Sequence, residues 1–160
     1  MTATLQYPLS IYFDASCPLC LAEMGALKRR DVAGRLVLID CSPAGFSDPA
    51  VDEAGLQQED LMRIIHARAA DGTWLRGIDV FAAAYSAVGL KVLAFIWRFP
   101  VWRPLLDRFY PFIARHRQLL SRVGVPAVVR LAIGALGGRE RCVGPECDIR
   151  CAGRDLAPPS

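Results

Sequence analysis

Histidine is scarce in this chain, two residues in 160, and neither His66 nor His116 stands at catalytic spacing from a nucleophile or a carboxylate. Chemistry built on a histidine base is not indicated, and both side chains are read as structural or surface residues. Glycine-rich phosphate loops are missing too: Gly137-Gly138 and Gly144 fit neither the dinucleotide pattern nor the P-loop. That speaks against a nucleotide-dependent reaction, and no cofactor is expected. Residues 1–8 hold no lysine or arginine and no apolar stretch, so they lack the layout of a secretory signal, and a cytoplasmic protein is expected. There is no internal repeat and no low-complexity tract. Acids run short in the second half, where residues 81–138 carry eight basic side chains against one acid, Asp107.

What the chain does have is cysteine. Six of them in a reducing cytoplasm point to redox or metal chemistry rather than to a disulfide framework. Cys17-Pro18-Leu19-Cys20 follows the strand-like run Leu9-Ser10-Ile11-Tyr12-Phe13-Asp14 and precedes a helical pattern reaching to about residue 30. A cysteine at a helix N-terminus meets unpaired backbone N–H groups and the positive end of the dipole, which stabilise its thiolate. Cys17 is therefore expected to be the nucleophile of disulfide exchange. Cys20, one turn on, is expected to be the buried thiol that resolves the mixed disulfide. Asp14 has two readings, an Asx-turn or cap that shapes the site and a group acting on a proton near Cys20.

The same Cys-x2-Cys spacing also serves zinc, with Cys142, Cys147 and Cys151 as the other ligands, so a zinc-stabilised interaction module is the alternative. Those three cysteines otherwise form a redox arm or are incidental. Cys41, after the second strand, is read as a buried small hydrophobe, with an extra resolving thiol as its alternative.

At 53% hydrophobic composition the chain is long enough for one cored domain with an extension. Leu9–Phe13 and residues 35–40 read as buried central strands joined by a helix, a βαβ unit whose strands are parallel. Residues 41–58 read as a loop with a short helix at 48–54. Residues 61–69 and 73–77 flank Asp71-Gly72, a hairpin signal. Helical spacing follows over 78–88, capped by Gly89, and then only helices, over 91–99, 103–110, 111–122 and 126–136. The order βαβ, connector, ββα gives an α/β fold, a thioredoxin-like mixed sheet with a C-terminal helical extension.

Tyr12-Phe13-Asp14-Ala15-Ser16-Cys17-Pro18-Leu19-Cys20, the segment from Asp71 to Phe81 and Tyr110-Pro111-Phe112-Ile113-Ala114-Arg115-His116-Arg117 together resemble the DCC family of thiol-disulfide oxidoreductases, named for an aspartate and two cysteines. The resemblance spans residues 8–122, read as one domain including its helical cap, with 123–160 as an extension. It implies a thioredoxin-like fold and dithiol exchange at Cys17 and Cys20 on a protein or small-molecule disulfide, with a cellular dithiol as electron donor. Two departures stand out: Ala15 replaces the family's usual glycine, and no proline precedes the strand at 61–69, where thioredoxins place one opposite the disulfide. Residues 78–99 are apolar, but Asp79, Gly89, Lys91 and Arg98 interrupt them, so no membrane span is expected. Aromatics alternating with arginines over 95–122 form either a cap facing water or a surface for peripheral membrane contact. Nucleic acid is not an expected partner.

Overall fold

β1 (Leu9–Phe13) is the strand around which the rest is arranged. The computed structural model describes residues 5–98 and, beyond them, residues 104, 105, 108–110, 112, 115, 116, 119, 127 and 131. Side chains of β1 alternate across the sheet: Leu9, Ile11 and Phe13 enter the larger core, while Tyr12 enters a smaller one on the other face. β1 pairs in parallel with β2 (Leu36–Asp40) and antiparallel with β3 (His66–Arg68), which pairs antiparallel with β4 (Trp74–Arg76). The result is a four-stranded mixed sheet in the order β2-β1-β3-β4.

α1 (Pro18–Lys28) is the crossover between the parallel strands, and it lays Met24, Ala26 and Leu27 on the larger core. α4 (Ile78–Ala87) adds Val80, Phe81, Ala84 and Tyr85 to the same core. Each fully buried large side chain there contributes about 1.5–3 kcal/mol. Across the sheet, α2 (Pro49–Glu53) and α3 (Gln58–Arg63) supply Val51 and Leu61, which pack with Tyr12 and Cys41. α5 (Lys91–Arg98) follows α4 after Gly89, whose φ of +79° suits the left-handed turn that ends a helix. This is the α/β architecture of a thioredoxin-like fold, with the parallel unit and the hairpin where the sequence placed them.

Two elements differ from expectation. Among the described residues β2 is an edge strand, not a central one: its one sheet neighbour there is β1, and of its residues only Leu36 is buried while Val37 is exposed. A short apolar run looks the same in either position. The first residues of the expected strand at 61–69 instead belong to α3. The Asp60 carboxylate accepts a hydrogen bond from the Gln57 N–H at 3.2 Å, and Glu59 and Asp60 sit at the positive end of the helix. The chain leaves α3 at Ile64 in extended geometry and pairs only from His66.

The hairpin itself is as expected. Asp71 accepts from the Thr73 N–H at 2.9 Å, and Gly72 adopts φ +86°. Among the described residues no helix is long and apolar enough to cross a membrane. The expected boundary at 122/123 and the cysteines at 142, 147 and 151 lie outside the described residues.

Candidate active site

The turn from β1 into α1 is held by two carboxylates. Asp14, only 2% exposed, accepts hydrogen bonds on one oxygen from the Ser16 N–H at 2.9 Å and from the Ser16 hydroxyl. Its own carbonyl accepts from the Cys17 N–H at 3.3 Å. This is an Asx-turn, the shaping role among the two readings of Asp14. Asp40, the last residue of β2, accepts from the Ala15 N–H at 3.1 Å and the Ser42 N–H at 2.9 Å. The ends of the two parallel strands are thus tied through one side chain. The sequence reading had assigned no role to Asp40.

Cys17 is the N-cap of α1, with extended backbone (φ −88°, ψ 112°), and Pro18 starts the helix. Its carbonyl accepts from the Leu21 N–H at 2.9 Å. Cys17, Cys20 and Cys41 all stand as thiols. The expected depth of the pair is reversed: Cys17 has no exposed surface, whereas Cys20 is only partly buried. Cys20 is the member of the pair that lines a cavity of about 70 Å3, together with Phe13, Phe81, Tyr110 and the acidic residues Asp14 and Glu23. That volume holds a few waters or the end of a small side chain.

Tyr110 reaches this cavity from beyond α5. Its ring meets Phe81 edge-on at 5.8 Å between centroids. It also lies over Gly77, where a Cβ would come within 3.4 Å of the ring and where φ is +58°. Glycine is favoured there by the backbone conformation, while the ring would meet an added Cβ at ordinary contact distance.

Glu23 is the residue the sequence reading missed. It stands three residues after Cys20 on α1, the spacing that puts side chains on one helix face, and it is the helix's single acid. Tyr85 of α4 donates its hydroxyl hydrogen bond to Glu23 Oε1 at 2.7 Å. Burial pushes the Glu23 carboxyl up to about 7, although the Tyr85 hydrogen bond acts in the opposite direction. Burial, followed by the charge of Glu23, raises the Tyr85 phenol, so it remains a donor. The available sequence signal was an acid on the inward stripe of Cys20, Met24 and Leu27.

Cys41 is fully buried in the smaller core, where its thiol donates to the Phe13 carbonyl at 3.1 Å and lies 3.9 Å from Met62 Sδ. That is the environment of a small hydrophobe, on the far face of the sheet from the core that Cys20 packs against. His66 is buried in β3 with Nδ1 2.7 Å from the Ile64 carbonyl, and burial lowers its pKa. His116 has Nδ1 2.9 Å from the Phe112 carbonyl. Among the described residues no three histidine, cysteine or acidic side chains are grouped so as to hold a metal.

A comparison with curated proteins finds an uncharacterized chloroplastic protein of Arabidopsis thaliana, 30% identical over 125 residues, which cover 77% of this chain and 58% of the plant protein. The chain therefore spans little more than half the length of that relative. No solved structure matches significantly. The family model for DCC1-like thiol-disulfide oxidoreductases matches residues 11–123, from the middle of β1 through the cysteine pair and the cavity to beyond Tyr110. With most of its length matched, the chain belongs to the DCC1-like thiol-disulfide oxidoreductase family.

Proposed function

We propose that this protein reduces or forms disulfides through Cys17 and Cys20, with a protein or small-molecule disulfide as substrate and a cellular dithiol as electron donor. The observation that carries the reading is Cys17 at the N-cap of α1 with Cys20 one turn on at a cavity. In the reducing direction the Cys17 thiolate attacks one sulfur of the substrate, breaking its S–S bond and releasing the first thiolate. Cys20 then attacks Cys17, forming the Cys17–Cys20 disulfide and releasing the second. Two electrons pass from the dithiol to the substrate, and the donor dithiol restores the pair.

Because Cys17 has no exposed surface, its attack requires a local opening at the turn. The test is trapping. Full-length Cys20→Ser incubated with cystamine is expected to accumulate a mixed disulfide on Cys17, seen by mass spectrometry of its peptides, and Cys17→Ser is expected to hold none on Cys20. The opposite pattern would exchange the roles of the two sulfurs. No adduct in either variant would sink the reading.

We also propose that the helical half touches anionic membrane surfaces. Val92 and Phe95 of α5 and the helical residues Phe109 and Phe112 are exposed, beside exposed Arg108 and Arg115. Apolar side chains flanked by arginine suit a lipid interface. Binding to phosphatidylserine-containing vesicles at low salt, weakened by added salt and by Phe95→Ser, is the expected result. No sedimentation with vesicles at low salt would remove the proposal.

A further inference from the structure

We propose that Glu23 is the proton acceptor for the Cys20 thiol in the resolving step. The inference rests on the dithiol reading above and adds to it a second residue of α1 that lines the cavity. Cys20 and Glu23 are three residues apart on α1 and line the same cavity, so their Cβ atoms are about 5–6 Å apart.

Of the two carboxyls there, Asp14 is engaged in building its own turn through Ser16. Glu23 is held by the Tyr85 phenol, a donor from a neighbouring helix that orients one oxygen. Tyr85 from α4 bonds Glu23, and the other titratable residues lining its cavity are Asp14 from the end of β1, Tyr110 from beyond α5, and Cys20 on its own helix. No lysine, arginine or histidine lines the cavity among the described residues. A carboxyl in such a place titrates near neutrality, in the range where a side chain serves both as acceptor and as donor.

In the step itself, the Cys17 sulfur is bonded to the substrate sulfur. The Glu23 carboxylate takes the proton from Cys20 Sγ as that sulfur attacks Cys17. The Cys17–substrate bond breaks, the Cys17–Cys20 bond forms, and the substrate leaves as a thiolate that receives a proton from Glu23 or from water. In the reverse direction Glu23 returns a proton to Cys20 as it is expelled.

The experiment uses the reduced full-length chain with Cys142, Cys147 and Cys151 replaced by serine and one equivalent of 5,5′-dithiobis(2-nitrobenzoate), followed by stopped flow from pH 5 to 9. Cys17 attack releases the first coloured thiolate and resolution by Cys20 releases the second. Glu23→Gln is expected to slow the second release about 10²-fold or more below pH 8 and to erase its inflection near pH 7, while the first release keeps its rate. Tyr85→Phe, which removes the bond that lowers the Glu23 carboxyl, is expected to move the inflection upward.

An unchanged rate and profile in Glu23→Gln overturns the proposal and leaves the dithiol reading standing. If Glu23→Gln slows both releases alike, Tyr85→Phe decides, and an inflection that stays in place overturns the proposal. A parent chain with no second release removes the dithiol reading, and Glu23's role with it.

Discussion

Cys17→Ser is expected to bring reduction of a disulfide substrate down to the rate of buffer alone, while Cys41→Ser keeps turnover within a factor of about two and loses stability. The contrast follows from where each sulfur sits. Cys17 is the N-cap residue of α1, the position at which a helix N-terminus favours a thiolate. A serine hydroxyl at that position has no comparable acidity and cannot form the mixed disulfide. Cys41 fills the smaller core with Tyr12, Val51 and Leu61. A more polar, smaller atom there costs about 1–2 kcal/mol through lost packing. Steady-state assays on both variants, paired with urea denaturation, measure the two effects separately. Turnover that falls equally in both would remove the distinction between exchange thiol and core thiol.

The second large effect is on stability against pH. The Glu23 carboxyl titrates near 7 in the folded chain and near its ordinary value of 4.5 when unfolded. Between those values the folded state binds the extra proton, so stability falls as pH rises through the window and is level above it. A difference of this size corresponds to on the order of 3 kcal/mol. Glu23→Gln carries no such proton. Its stability relative to the unmutated chain is therefore expected to climb by about that amount from pH 4.5 to pH 8, measured by urea unfolding at each pH. Parallel stability curves for the two proteins would show that Glu23 does not carry the titration.

Those two residues also mark how far the sequence could be read. Cys17 was legible because strand, thiol pair and helix are consecutive, and local order suffices to place a helix N-terminus. The hairpin at Asp71-Gly72 and the helix stop at Gly89 were legible for the same reason, since each depends on a backbone conformation that few residues adopt. Glu23 was not, because its carboxyl is defined by Tyr85, 62 residues away, and no spacing rule reaches that far. The edge position of β2 was hidden likewise: strand order depends on pairing partners. The depth of Cys17 relative to Cys20 depends on what packs over the turn. α3 was a different kind of miss, a local capping signal from Gln57 and Asp60 overlooked in favour of the apolar residues after it.

Tyr110, resting on Gly77 and against Phe81, sets the extent of the smallest piece that can retain the site. The last strand ends at Arg76 and the described part of α5 at Arg98, yet the cavity beside Cys20 has one wall that arrives later in the chain. Cut after α5, the polypeptide would keep its sheet and both cysteines but would lose the Tyr110 wall of the cavity that Cys20 and Glu23 line. The candidate site is therefore longer than its thioredoxin-like sheet, and a residue of the helical half forms part of the wall beside the cysteine pair.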